Sequence, residues 1–85
     1  LNDANNVDPL HDRMRVEYHS SHLTNLLAAI EEDGCNVGGY FVWSLLDDWE
    51  WNSGYKSKFG LYLVDYQDDR LRRYPKASAL WFKDF

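Results

Sequence analysis

Residues 39–55, GYFVWSLLDDWEWNSGY, decide the fold of this 85-residue chain and carry most of its chemistry. The first half, residues 40–46, is apolar apart from Ser44 and does not alternate between apolar and polar residues. A strand that is buried on both faces has this pattern, and such strands occur in parallel sheets covered by helices. Residues 47–58 then form a polar and aromatic loop after the carboxyl end of the predicted strand. In α/β barrels that end of the strand faces the functional site.

The second half of the stretch combines indole rings with a carboxylate, which is the combination that a sugar requires. A pyranose ring presents an apolar C–H face that an aromatic plane covers, and a rim of hydroxyl groups that need hydrogen-bond partners. Trp43, Trp49 and Trp51 supply planes. The ionised carboxylate of Glu50 accepts through two oxygens, so it is able to hold two hydroxyls of one sugar. Composition alone leaves open the alternative that the indoles belong to a core and that Glu50 is a solvated loop residue.

The same stretch resembles the C-terminal signature of glycoside hydrolase family 1, the β-glucosidase family. That signature is Gly-Tyr-Phe-x-Trp-Ser-Leu-Leu-Asp-Asn-Phe-Glu-Trp followed by Gly-Tyr, and Asp48-Trp49 stand here where the family usually has Asn-Phe. A signature of this length is far more specific than a short motif. Further matches extend the resemblance over the chain from Asp12 onward: upstream Asp12, Arg15, Tyr18, His22 and Leu23, and downstream Phe59-Gly60 and Arg73-Tyr74-Pro75-Lys76-Ala77-Ser78.

The resemblance implies a retaining β-glucosidase on a TIM (β/α)8 barrel, which hydrolyses O-glycosidic bonds of β-glucosides in carbohydrate metabolism. Such an enzyme uses one carboxyl group as acid/base and a second as nucleophile, and the family carries them in Thr-Asn-Glu-Pro and Thr-Glu-Asn-Gly. Neither tetrapeptide occurs in this sequence, so no catalytic residue is assigned. We therefore expect residues 1–85 to be the C-terminal part of one barrel domain, without an internal boundary. This part would contain the last strand and its flanking helices and would be inactive by itself.

The resemblance also implies which residues contact a substrate. Glu50 is expected to accept hydrogen bonds from the hydroxyls at the far end of the glycone, and Trp51 to add an indole N–H. Trp43 is expected to form the platform under the ring, and Phe59 falls where an aromatic residue usually closes the same pocket. Asn52 is either a residue of the aglycone edge or a plain turn residue.

Two other functions stay open for the segment on its own. A carbohydrate-binding fragment would keep the aromatic and acidic wall, although a sugar held on one side stays solvated on the other. A catalytically dead remnant would have no independent function, because one strand with its helices cannot close a barrel. The unpaired edges of a single strand also favour association with other chains. The expected partners are a β-glucoside or oligosaccharide substrate and the upstream part of the same barrel.

Composition argues against several other classes of protein. The net charge of −5 and the pI near 4.9 argue against nucleic-acid binding, since phosphates require clustered Lys and Arg. No apolar stretch approaches the roughly 20 residues of a membrane span. His19 and His22 have a spacing that fits a metal on a helix, but with one cysteine and no grouped carboxylate local hydrogen bonds are the better interpretation. No cofactor is implied.

The N-terminal third of the chain predicts a helix of several turns. Its start is either Asp8-Pro9 or Asp12, and Gly34 is a natural stop. Asp12 and Arg15 are expected to form an i, i+3 pair worth only about a few tenths of a kcal/mol. One face repeats apolar residues at helical spacing, which predicts that it packs on another element: Leu23, Leu26, Leu27 and Ile30.

The C-terminal third predicts a hairpin and a second helix. Residues 59–66 are expected to form an extended arm that turns at residues 67–69 and returns through residues 71–74. Pro75 is expected to open the last helix.

Overall fold

The computed structural model describes residues 2–85. It contains helix α1 (Arg13–Asp33), a 3₁₀ turn (Trp51–Ser53), strands β1 (Tyr62–Val64) and β2 (Arg73–Pro75), and helix α2 (Ala77–Lys83). The two strands form an antiparallel hairpin, and α2 packs against both α1 and β2. Neither helix of the described chain has the length and apolar character needed to cross a membrane.

Helix α1 settles which of the two predicted starts is right. The Asp12 carbonyl accepts the N–H groups of Arg15 at 3.0 Å and Val16 at 3.2 Å, so the helix begins directly after Asp12 and not at Asp8. The predicted stop is confirmed, because Gly34 adopts a left-handed conformation with φ of 65° and donates its N–H to the Ala29 carbonyl.

The predicted hairpin is confirmed, with strands shorter than expected. Leu63 pairs with Tyr74 in the register of β1 and β2, and the Asp65 N–H donates to the Arg72 carbonyl at 2.9 Å beside the turn. The prediction that Pro75 opens the last helix is wrong. Pro75 is instead the last residue of β2. The next residue, Lys76, donates its N–H to the Leu61 carbonyl at 3.0 Å, so the pairing of the two strands does not depend on an N–H at Pro75.

The predicted strand over residues 40–46 is wrong for this structure. Only Leu46 is bridged, in parallel, to Tyr62. In the described chain residues 36–43 make no backbone hydrogen bonds, and a strand exists only where neighbouring backbone groups pair with it. Phe41 and Trp43 are 97% and 67% exposed, so the apolar pattern indicates burial that the described residues do not provide.

Among the described residues, more charged side chains than hydrophobic side chains are buried. Val64 and Ala79 are the only hydrophobic side chains that are buried among residues 2–85. Buried charges are costly unless they are paired and hydrogen-bonded. Here they are paired with one another, and we call the following residues the ionic core: Asp3, Asp12, Arg15, Asp47 and Lys76.

Arg15 joins the start of α1 to the end of the loop that precedes β1. Its guanidinium lies 3.2 Å from the Asp12 carboxylate and 3.3 Å from that of Asp3. It also donates to the carbonyls of Gly60 at 2.9 Å and Lys58 at 2.8 Å. The predicted Asp12–Arg15 pair therefore forms, and it is buried and not on the helix surface for which the small energy was expected. Both side chains are 1% exposed, and removal of either partner would leave a buried charge without its counterpart.

The Asp12 carboxylate serves helix α2 and not its own helix. It accepts the Ser78 backbone N–H at 2.8 Å and also the Ser78 hydroxyl. A carboxylate at the first turn of a helix pairs with free N–H groups and is favoured by the helix dipole. Asp12 therefore connects the starts of the two helices through a contact between residues that are 66 positions apart in the chain.

Candidate functional site

The predicted sugar-contacting residues lie on or beside residues 47–60, which we call the tryptophan loop. Asp47 closes the base of this loop. One oxygen of its carboxylate accepts from the Gly60 N–H at 2.9 Å and from the Lys76 ammonium at 2.9 Å. The Asp47 carbonyl accepts from the Tyr66 hydroxyl at 2.6 Å, so both ends of the loop are fixed at one buried residue.

Gly60 permits this closure because it has no side chain. A Cβ atom at Gly60 would lie 2.2 Å from the Asp47 nitrogen and 2.4 Å from the Leu46 carbonyl carbon. These atoms belong to the backbone and cannot turn aside as a flexible side chain would. The close approach brings the two ends of the tryptophan loop together.

The tip of the tryptophan loop is a tight turn around Glu50. The Glu50 N–H donates to the Gly54 carbonyl at 2.7 Å, and the Ser53 N–H donates back to the Glu50 carbonyl at 3.0 Å. Trp51 has φ of 50°, a left-handed conformation that is uncommon for residues other than glycine. Asn52 lies exposed inside this turn, which agrees with both of the roles considered for that residue.

Trp43 and Glu50 are in direct contact. The Trp43 indole Nε1–H donates to both carboxylate oxygens of Glu50, at 3.0 and 3.3 Å. Each carboxylate oxygen has two lone pairs, so Glu50 keeps acceptor capacity for further hydroxyl groups. The Trp43 ring is 67% exposed and leaves a free aromatic face beside that carboxylate.

The structure brings the other two predicted residues to the same region. The Trp51 ring lies next to that of Trp49, with 5.2 Å between the ring centroids and 48° between the planes, and Trp51 is 79% exposed. The half-buried Phe59 accepts the Ser44 N–H through its carbonyl at 2.9 Å, which places it beside the residue that follows Trp43. Among the four predicted residues, Trp43 and Glu50 are therefore joined by a side-chain contact, Trp51 follows Glu50 at the loop tip, and Phe59 is placed near Trp43 through its backbone.

Asp48 distinguishes this site electrostatically from the family signature, which has Asn at that position. A hydrogen bond with the Glu50 carboxyl is the main cause that raises the pKa of Asp48, followed by burial and by the charges of Glu50 and Asp47. A shared proton relieves the repulsion between two carboxylates. An amide in place of Asp48 would donate to Glu50 without taking up a proton.

The two helix histidines have separate local partners. The His19 ring is hydrogen-bonded to the Tyr40 hydroxyl at 2.6 Å, and burial is the main cause that lowers the pKa of His19. His22 Nδ1 donates to the Tyr18 carbonyl at 2.8 Å. Within residues 2–85 no group of three or more His, Cys, Asp or Glu is arranged to hold a metal ion.

The sequence model of glycosyl hydrolase family 1 matches residues 1–85, and the chain belongs to this family. Beta-glucosidase 6 of Oryza sativa subsp. japonica is 58% identical over 88 residues, covering 98% of this chain and 17% of the rice protein. Among solved structures, the rice Os3BGlu6 β-glucosidase superposes with a TM-score of 0.90 at 58% identity, over 98% of this chain and 18% of its own. The same values hold for a mutant of that enzyme in a covalent complex with Glc.

A fungal relative extends the comparison. The family 1 β-glucosidase of Humicola insolens, solved in complex with glucose, has a TM-score of 0.83 at 48% identity over 88% of this chain and 16% of its own. The chain therefore spans about one sixth of the length of the relatives it matches. The resemblance inferred from the signature is confirmed, and the structural neighbours are family 1 β-glucosidases.

Sequence reasoning did not find the roles of Asp47, Gly60 and Lys76. All three belong to segments that match the family signature, so their positions were marked, but their contacts join residues up to 29 positions apart. No local periodicity reports such contacts. The signal available in the sequence was a charged residue or a glycine within the segments that match the family signature.

Proposed function

We propose that residues 1–85 supply the glycone-binding wall of a retaining β-glucosidase. On this proposal the segment is the last strand and flanking helices of a (β/α)8 barrel, and the two catalytic carboxyls lie outside it. The observation that carries the proposal is the Glu50 carboxylate held by the Trp43 indole beside an open aromatic face. Support also comes from the relatives, because two of the matching β-glucosidase structures contain glucose, one of them covalently bound.

Each residue of the wall has a proposed role. Glu50 accepts hydrogen bonds from hydroxyls at the far end of the glycone, and Trp43 both orients this carboxylate and covers the sugar face. Trp51 offers an indole N–H from the loop tip, and Phe59 closes the side of the pocket. The tight turn at Glu50 favours these roles because a fixed acceptor loses little entropy when it binds.

The rest of the same barrel is the proposed partner of the exposed apolar residues. Phe41 and Leu45 are 97% and 62% exposed on one short segment. Contiguous apolar surface of this kind normally marks a contact with protein or ligand. Upstream strands of the barrel would pair with residues 40–46 and restore the strand that the sequence pattern predicts.

The test is substitution of Glu50 in the full-length gene product that contains this segment. A chimera in which residues 1–85 replace the homologous part of rice beta-glucosidase 6 provides a second background. Glu50→Ala removes charged hydrogen bonds worth about 1.5–3 kcal/mol each, so kcat/KM for an aryl β-glucoside should fall roughly 10- to 100-fold or more. Glu32→Ala, at the exposed end of α1, is the matched control and should leave kcat/KM unchanged. An unchanged kcat/KM in Glu50→Ala would refute the proposal.

A weak carbohydrate-binding fragment is the second candidate, favoured by the fact that Trp43 and Glu50 meet inside the segment itself. Calorimetry of residues 1–85 with glucose and cello-oligosaccharides tests it. Heat of binding at millimolar sugar would support this candidate. Absence of heat would leave the segment alone as a catalytically dead remnant, since half a pocket leaves the other side of the sugar solvated.

A further inference from the structure

We propose that Asp47 and Lys76 are a positioning pair that fixes Glu50 in the sugar-binding wall and thereby sets discrimination among glycone hydroxyls. The proposal rests on the proposed function of the wall. Neither residue belongs to the predicted contact set of Glu50, Trp43, Trp51 and Phe59. Both act through the backbone of the tryptophan loop.

Asp47 controls the geometry of the tryptophan loop because it holds the loop at both ends. Its backbone N–H donates to the Tyr62 carbonyl at 3.1 Å and its carbonyl accepts from Tyr66, so its own position is fixed. Its carboxylate then holds Gly60 at the far end of the loop. Glu50 lies three residues after Asp47 in the chain, so on this proposal a change of backbone angle at Asp47 displaces the Glu50 carboxylate.

Lys76 anchors the clamp to the rest of the fold. Its side chain is 0% exposed, and its ammonium contacts Asp47 at 2.9 Å and Asp3 at 3.6 Å. Its backbone is fixed by the bond to Leu61 and by its place directly before α2. Lys76 is therefore a rigid reference point for the carboxylate that closes the loop.

A positioning role explains why charged groups occupy this place. A buried ion pair adds little net stability compared with well-packed apolar residues, because desolvation opposes the attraction. The pair instead fixes the orientation of the Asp47 carboxylate, because the Lys76 ammonium and the Gly60 backbone N–H both donate to the same carboxylate oxygen. Misplacement of a substrate-binding group by about 1 Å is able to cost roughly 100-fold in rate.

The experiment compares two substrates in the full-length gene product: an aryl β-glucoside and its 6-deoxy analogue. The ratio of their kcat/KM values is independent of the fraction of folded enzyme, so a simple folding defect leaves the ratio unchanged. Glu50→Ala defines the ratio of a wall that has lost its acceptor. Asp47→Asn, which keeps the shape of the side chain, should lower the ratio in the same direction by roughly 10-fold.

Ser78→Ala is the matched control, because Ser78 is equally buried and its hydroxyl donates to Asp12 and not to the tryptophan loop. It should reduce stability without changing the ratio. Lys76→Met should lower the ratio, and Lys76→Arg should restore part of it. In the double variant Asp47→Asn/Glu50→Ala the ratio should equal that of Glu50→Ala alone, because the two residues act through one contact.

The outcomes separate this inference from the proposed function. A ratio that falls in Glu50→Ala but stays unchanged in Asp47→Asn and Lys76→Met would overturn the positioning role and leave the wall intact. A ratio that stays unchanged in Glu50→Ala would overturn both. If Asp47→Asn does not fold, Tyr66→Phe removes only the hydroxyl bond to the Asp47 carbonyl and should lower the ratio to a smaller extent. An unchanged ratio in Tyr66→Phe and Lys76→Met would then also overturn the positioning role.

Discussion

Substitution of Arg15 by Met is the most direct test of the ionic core. Met fills much of the same volume without a charge. The change leaves the carbonyls of Gly60 and Lys58 without the guanidinium, and Asp12 and Asp3 lose a partner. Asp12 keeps its two bonds to Ser78, which limits the loss.

The magnitude follows from the burial of these groups. A buried polar acceptor without a partner costs about 1–3 kcal/mol, and removal of one member of a buried ion pair costs about 3–5 kcal/mol in total. We therefore expect Arg15→Met to reduce the free energy of unfolding by about 3–5 kcal/mol. Arg13→Met is the matched control two positions earlier. Its ion pair with Glu17 is on the surface, 87% and 60% exposed, and is worth about 0.3–0.5 kcal/mol.

The assay is urea denaturation of the full-length gene product, followed by tryptophan fluorescence. The midpoint of Arg15→Met should shift well below that of Arg13→Met at an equal m-value. Added salt should weaken the Arg13 pair and leave the Arg15 contacts nearly unchanged, because buried charges are poorly screened. Equal midpoints for the two variants would refute the conclusion that charged contacts hold the centre of this segment together.

Two further predictions use the same unfolding measurement. Gly60→Ala should destabilise the protein by about 1–3 kcal/mol, because its Cβ atom would meet the backbone of Asp47. Gly38→Ala, whose Cβ atom would have nothing within 4 Å, should be neutral or slightly stabilising, and equal effects of the two substitutions would contradict the close approach at Gly60. Because the pKa of Asp48 is raised in the folded state, the stability from its protonated form is full below the ordinary value of 3.8 and is lost as pH rises through the raised pKa. Asp48→Asn should therefore become more stable relative to the natural chain as pH rises from 3.8 to neutrality, and a difference independent of pH would contradict the hydrogen bond to Glu50.

Local chemistry explains which elements could be predicted from the sequence. The left-handed conformation at Gly34 and the polar turn between β1 and β2 depend on a few adjacent residues, so their patterns predicted the end of α1 and the hairpin. The site was predicted as a set of residues because the family signature preserves their order. The contact between Trp43 and Glu50 follows from that order only once the tight turn at the loop tip is known.

Contacts between distant residues explain what could not be predicted. Asp12 was one of two predicted starts of α1, and the helix does begin after it, but its carboxylate binds Ser78, 66 positions away, and not the N–H groups of its own helix. The strand over residues 40–46 was predicted from its apolar pattern. That pattern shows that the residues are suited to a buried strand, but it does not show whether neighbouring strands are present to pair with it. Both differences have the same origin, because the sequence shows which kind of partner a residue needs, whereas the fold decides which neighbour provides it.

The ionic core and the proposed sugar-binding wall meet at Asp47, and on the positioning proposal this residue couples stability to specificity. Asp47 belongs to the core through Lys76 and begins the loop that carries Glu50. An apolar core would hold the same loop less directionally, because dispersion contacts allow small rotations that hydrogen bonds to one carboxylate oxygen do not. On the positioning proposal, an apolar side chain in place of Lys76 is therefore expected to change the position of Glu50 as well as to lower the stability of the fold.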